Sequence, residues 1–180
     1  HVGIDAFVTR FERAVTIFDA ADGDRALAAV AAAPPAEVHL QTVLRDVWYA
    51  HVLFEPVVRP RVAGIVDVHA AGFDTPATDL ARLLGSWRRG AGSPADPAGT
   101  WPEAIAAYGA VRPLAAAEIA MVPFLHTAGV VCGLDNWFRW TLDEGRRFAA
   151  ATAALDRIDR LLSDLPAALA WLASGGAIRV

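Results

Sequence analysis

The sequence predicts a mainly helical α+β protein with a small β-hairpin insert in its first half. Apolar residues recur at helical spacing over most of the chain, and β-branched runs bounded by proline are confined to about residues 37–68. With 180 residues, 55% of them hydrophobic and 20% charged, there is enough apolar material for one domain, residues 1–180, and too much for a disordered chain. The net charge of −4 gives no reason to expect nucleic acid as a partner. Cys132 is the sole cysteine, which excludes an intrachain disulfide and fits a reducing, cytoplasmic setting. No run reaches the roughly 18 uninterrupted apolar residues of a membrane helix, and no basic segment precedes an apolar core at the start. No membrane partner is expected. All 16 basic residues are arginine, so lysine Schiff-base chemistry and a P-loop lysine are excluded. The start at His1 reads as a processed product or part of a longer chain.

Residues 4–21 form the first helix, with Ile4, Phe7, Val8, Phe11, Val15 and Phe18 at helical spacing. Residues 24–33 form a second, alanine-rich helix stopped by Pro34-Pro35. The insert then supplies two strands, Val52-Leu53-Phe54 and residues 62–68, with Pro56 and Pro60 in the turn and a further short strand over 38–44. Residues 72–76 (Gly-Phe-Asp-Thr-Pro) read as a turn, 78–87 as a helix and 88–99 as a surface loop. The remainder is helical. One helix covers 101–111, with Pro102 in its first turn, and others cover 114–128, 130–148 and 152–172. Pro123 is placed to interrupt one of these and Pro166 to kink or end the last.

The insert holds the densest set of reactive groups. Asp46 precedes the first strand, His51 opens it and Asp67 closes the next. In a hairpin the end of the second strand returns to the start of the first, so His51 and Asp67 converge near Asp46. Two carboxylates and an imidazole at one place suit a divalent metal plus a general base. A turn-forming aspartate and a packed structural histidine would produce the same spacing, and residue types alone leave both readings open.

The order of the residues adds to this. Leu44-Arg45-Asp46 comes first, then Val52-Leu53-Phe54, then Gly64-Ile65-Val66-Asp67. Asp74-Thr75-Pro76-Ala77-Thr78-Asp79-Leu80-Ala81 follows. In order and separation these resemble the motifs of the C-terminal lobe of the aminoglycoside phosphotransferase family. That family has a protein-kinase-like fold and includes homoserine and choline kinases. The resemblance spans residues 44–85. It implies transfer of the γ-phosphoryl group of ATP to an alcohol, such as an aminoglycoside or amino alcohol, with Mg²⁺ or alternatively Mn²⁺. It implies Asp46 as the catalytic-loop aspartate that orients the acceptor hydroxyl, and Asp67 as the aspartate holding the metal. Asp79 becomes a buried aspartate bracing the loop through backbone hydrogen bonds. Such chemistry rests on positioning and charge neutralisation, which carboxylates supply.

Some positions depart from the family pattern. Leu44 stands where the family has a histidine, and Arg45 where it has a small residue. His51 stands where it has a metal-binding asparagine, and an imidazole suits Mn²⁺ or Zn²⁺ better than Mg²⁺. The N-terminal lobe of such kinases needs a phosphate-covering loop and a lysine. The stretch before Leu44 reads as helical and the chain has no lysine, so the N-lobe is expected to be absent from these residues and the isolated chain to be inactive. Either a longer parent supplies that lobe, or this is a non-catalytic binding or scaffolding module.

Trp48 and Tyr49 lie in the Asp46 loop, where Trp48 could stack on a substrate or anchor the loop. Late helices of the family's lobe build an acidic, aromatic acceptor pocket, which makes Trp137, Trp140 and Glu144 candidates. A core-facing aromatic stripe beside a solvated charged face, with Arg139–Asp143 and Asp143–Arg147 pairs, is the alternative. Asp135 and Asn136 are expected to cap a helix, and Cys132 to be a buried, inert thiol. His69 follows Asp67 by two residues and would share its face in a strand, but the chain is expected to be leaving the strand there; His39 and His126 carry no supporting pattern.

Overall fold

The computed structural model describes residues 3–32, 37–56, 61–90 and 97–174, with 88–90 and 97–100 described by backbone alone. In order it contains α1 (Asp5–Ala20), α2 (Gly23–Ala31), β1 (Gln41–Val43), a 3₁₀ turn (Tyr49–His51), β2 (Val52–Phe54), β3 (Val62–Ile65) and β4 (Gly72–Asp74). Then come α3 (Pro76–Gly90), α4 (Pro97–Val111), α5 (Ala116–Phe138), a π-turn (Arg139–Asp143) and α6 (Ala151–Ala173). Pro34-Pro35, the turn at 57–60 and the centre of the expected 88–99 loop, 91–96, lie outside the described residues.

Mainly helical architecture with a small β insert is what the sequence predicts, but the insert is two antiparallel pairs and not one hairpin. β2 pairs with β3 as expected, with a bulge at Leu53/Phe54. β1 pairs with β4, Gln41 opposite Asp74 and Val43 opposite Gly72. The segment read as a turn at 72–76 is therefore half strand. Its partner lies far back in the chain, so no local pattern announces it. Thr75 and Pro76 then start α3 in the usual way, with the Thr75 hydroxyl accepting the Ala77 amide at 3.4 Å. β3 ends at Ile65, so Asp67 lies beyond the strand and not at its end.

The chain forms two compact units, residues 36–126 and residues 1–35 with 127–177. In the second of these, α6 buries Ala154, Leu155, Ile158, Leu161, Leu162, Leu165, Ala168, Leu169 and Leu172 along one face. α1 and α2 pack on that face, and Arg10 of α1 pairs with Asp159 at 2.5 Å. This explains why Pro166 does not end α6. An interior proline costs about 3 kcal/mol. Fully burying a leucine or isoleucine contributes about 1.5–3 kcal/mol each, and Pro166 itself sits on the exposed side.

In the first unit Ala77, Leu80, Ala81 and Val122 form a buried core, with Ile105, Tyr108 and Met121 packed around it. Burial of Val122 carries α5 through Pro123 without a break. The expected helices 114–128 and 130–148 are thus one helix and a π-turn, and Asp135 and Asn136 lie inside α5 instead of capping it. α4 begins at Pro97, which puts Pro102 in its interior. A Cβ on Gly85 would overlap the His126 ring, so only glycine allows that approach. Cys132 is exposed, contrary to expectation.

Among the described helices, Ala116–Asp143 is long and apolar enough to cross a membrane, at mean hydropathy 1.5, with 22% of that window buried in the protein. As expected, no apolar run in it is uninterrupted: Glu118, His126, Asp135 and Arg139 fall within it.

Glu118, 1% exposed, closes the N-terminus of α5. Its carboxylate accepts the Ala115 amide at 2.8 Å, half of a capping box, and faces the Arg112 guanidinium at 3.4 Å. Burial alone would raise this carboxyl, but the Ala115 amide, Arg112 and the charge of His39 outweigh it and hold it below its ordinary value. A depressed folded-state pKa stabilises the fold fully above the unfolded-state value, and the gain is lost as pH falls through the folded-state value. Glu118→Gln is expected to cost about 1–2 kcal/mol near neutral pH and less in acid, read by urea unfolding at the two conditions. An equal loss at both would assign the effect to packing.

Candidate functional site

One face of α3 holds the Asp46 loop. Asp79, Arg82 and Ser86 follow one another at helical spacing, three and then four residues apart. The Asp79 carboxylate accepts the amides of Leu44 at 2.9 Å and Arg45 at 2.8 Å. Arg82 Nη1 lies 3.8 Å from Asp46 Oδ1. The Ser86 hydroxyl accepts the Tyr49 amide at 2.9 Å and donates to the Leu83 carbonyl at 2.7 Å. Successive turns of the helix thus engage successive residues of the loop. The brace expected of Asp79 is present, on a side chain that is half-buried and not fully buried.

The loop needs this support because its backbone is strained. Arg45 has φ +65°, and the Asp46 amide bonds back to the Leu44 carbonyl at 2.8 Å. An i→i+2 bond about a residue of positive φ is the rarer, strained hand of the γ-turn. The Arg45 side chain lies across Gly72, where an added Cβ would meet Nη1 at 2.9 Å, and faces Asp74 at 3.6 Å. The Asp46 carboxylate that follows this turn is half exposed.

His51 links Asp46 to Asp67. It ends the 3₁₀ turn, one residue before the strand it was expected to open. Its Nδ1 bonds the Asp46 carbonyl at 3.0 Å, and its Nε2 stands 3.6 Å from Asp67 Oδ2. Asp67 is itself at φ +60°, and the neighbouring Val66 amide bonds the His51 carbonyl at 3.0 Å. His69 Nδ1 contacts the other Asp67 oxygen. Trp48 packs its ring edge-on against His51, centroids 5.0 Å apart, so it anchors the imidazole. A turn and a left-handed residue beyond β3 thus bring the His51 imidazole to Asp67 and to the backbone carbonyl of Asp46, while the Asp46 carboxylate faces Arg82. Ser86→Ala would leave the Tyr49 amide without its acceptor; a loss of about 1–2 kcal/mol is expected in urea unfolding.

Among the described residues no three His, Cys, Asp or Glu side chains form a metal cage. The Asp67–His51 pair offers a cation carboxylate oxygen and imidazole nitrogen. The Asp67 carboxylate with phosphate oxygens and water would suit Mg²⁺, whereas a shell that included the His51 nitrogen would suit Mn²⁺ or Zn²⁺ better.

Trp137, Trp140 and Glu144 belong to the other unit. Trp137 contacts Trp140 and Phe148 with centroids 5.5 and 5.1 Å apart, and Arg146 lies 5.2 Å over the Trp140 ring. Glu144 pairs with Arg146 at 2.7 Å and Arg139 at 3.8 Å. The Arg139–Glu144 pair is five residues apart, the π-turn spacing, and replaces the expected Arg139–Asp143 pair.

Sequence reasoning missed Arg82 and Ser86, which were visible as a polar stripe continuing from Asp79 along α3. The spacing of His69 two residues after Asp67 was visible, but the two side chains meet in the turn after β3 and not along a strand face.

A family model described as the phosphotransferase enzyme family (APH) matches residues 8–114, more than half of the chain and all of the Asp46–Asp67–Asp79 region. No curated protein and no solved structure matches significantly. On the family match, the chain belongs to the phosphotransferase enzyme family.

Proposed function

We propose that these residues are the C-terminal lobe of an ATP-dependent small-molecule phosphotransferase that moves a γ-phosphoryl group to an alcohol. The observation that carries this reading is the Asp79 carboxylate accepting the amides of Leu44 and Arg45, which fixes the strained turn presenting Asp46. In this reading Asp46 accepts a hydrogen bond from the acceptor hydroxyl and orients it for in-line attack. His51 and Arg82 hold Asp46 by its carbonyl and its carboxylate. Asp67, half exposed, faces the nucleotide phosphates and their cation. Because the chain has no lysine, the lysine and covering loop would come from an N-lobe outside these residues. A divalent cation held by the Asp67 carboxylate would neutralise charge on the nucleotide phosphates. The acceptor class, aminoglycoside or amino alcohol, rests on the family alone.

The test is a thermal-shift titration of the protein expressed from its complete reading frame, with ATP and GTP in the presence of Mg²⁺ or Mn²⁺. Ligand at 100 times its Kd stabilises by about 2.7 kcal/mol, a shift of several degrees. No shift with either nucleotide would leave the non-catalytic module, which Leu44 and His51 at the family's histidine and asparagine positions favour.

A further inference from the structure

We infer that the alcohol phosphorylated at Asp46 is an anionic one, a hydroxy acid or hydroxy phosphate, selected by the Arg82 guanidinium. The inference rests on the phosphotransferase reading and departs from the cationic aminoglycosides and amino alcohols that the family alone suggests.

Of the four aspartates in the motifs, three are already engaged. Asp79 accepts the amides of Leu44 and Arg45, one on each oxygen. Asp74 accepts the Thr75 amide at 2.8 Å and faces the Arg45 guanidinium at 3.6 Å. Asp67 contacts His69 through one oxygen and faces His51 with the other, and in the proposed function its charge serves the phosphates and their cation. Asp46 is left for the alcohol, and it stands beside a positive charge. Arg82 Nη1 lies 3.8 Å from Asp46 Oδ1, with both side chains about half exposed. That separation is too long for a hydrogen bond, so the guanidinium faces the same solvent as the carboxylate and keeps donors for a second partner. Its position is fixed by its neighbours on α3. Asp79, three residues before it, and Ser86, four residues after it, are both bonded to the Asp46 loop.

An alcohol that sets its hydroxyl on Asp46 therefore brings its next carbons against a permanent cation. In the transfer step its oxygen bonds the γ-phosphorus as the bond to the bridging oxygen breaks. ADP leaves with that electron pair, and the hydroxyl proton passes to Asp46 and on to water. A hydroxyl oxygen on Asp46 and an anionic oxygen on Arg82, each at about 2.7–2.9 Å, would bridge the pair. The 3.8 Å separation of Nη1 and Oδ1 suits a hydroxyl one or two carbons from a carboxylate or phosphate. Such a group also offers the planar fork of the guanidinium two oxygens. A protonated amine in the same place is repelled, because salt screens charges only beyond roughly 8 Å.

The experiment is phosphoryl transfer by the protein from its complete reading frame to small alcohols of similar size and different charge: glycolate and glycerate, ethylene glycol, and ethanolamine. Glycolate or glycerate is expected to exceed ethanolamine in kcat/KM by about tenfold or more, with the difference carried by KM. Arg82→Gln should lower kcat/KM for the anionic alcohols by about tenfold and close the gap to ethanolamine, and Arg82→Lys should restore the order by restoring the charge. If Arg82 serves only to steady Asp46, the glutamine variant will lower kcat for every alcohol alike and leave their ratios unchanged, which would overturn the inference. Ethanolamine ahead of both anionic alcohols in the wild type would overturn it too. So would no transfer to either anionic alcohol by a protein whose thermal shift shows bound nucleotide. A flat nucleotide titration would instead sink the phosphotransferase reading itself.

Discussion

Asparagine in place of Asp46 is expected to lower phosphoryl transfer by about 10²–10⁴-fold, the usual contribution of a positioned acid–base group. The amide keeps the size of the carboxylate and loses its charge and one acceptor oxygen. Little else depends on that carboxylate. It is half exposed, and its ion-pair partner, Arg82, stands 3.8 Å away. Exposed pairs of that kind are worth about 0–1 kcal/mol, so the variant should unfold at nearly the wild-type urea concentration. Nucleotide-dependent thermal shifts should persist, because Asp46 serves the acceptor and not the nucleotide in the proposed function. Steady-state transfer assays on the protein from the complete reading frame check the first point, and denaturation and thermal shift check the others. Turnover unchanged in the variant would remove Asp46 from the mechanism.

Alanine in place of Asp79 is expected to do the reverse, harming the fold first and any activity through it. Two backbone amides lose a charged acceptor, at 2.9 and 2.8 Å. Hydrogen bonds to charged groups contribute about 1.5–3 kcal/mol each. The Arg45 bond is exposed to solvent and is discounted, which puts the total at about 2–4 kcal/mol. The strained turn at Arg45 then has less to hold it, so amide hydrogen exchange at Leu44 and Arg45 should accelerate well before global unfolding. Asp79→Asn, which retains one acceptor oxygen, should fall between wild type and alanine. Unchanged urea midpoints together with unchanged exchange at those two amides would show that the loop holds its shape without the brace.

The helices were legible because their signal is local. Apolar spacing placed α1, α3 and α6 within a few residues, and the segment 52–54 was read as the strand it is. Prolines misled for a physical reason. Pro123 and Pro166 weaken a helix locally, but burial of Val122 and of the Leu165 and Leu169 face costs more to give up than the proline takes away. The approach of His51 to Asp67 was predictable from the hairpin, and the contact of Asp79 with the loop from the family resemblance. The contact of His51 with the Asp46 backbone carbonyl was not legible, because it depends on the turn between the two residues.

By itself the sequence determined a helical protein with a small β insert, its candidate aspartates, its lack of lysine and its family. The tertiary structure alone decided that β1 finds β4, that α3 holds the Asp46 loop through Asp79, Arg82 and Ser86, and that His51 and His69 both meet Asp67. The division follows from range. Periodicity and composition act over a few neighbouring residues, whereas strand partners and side-chain geometry arise only when distant parts of the chain are brought together.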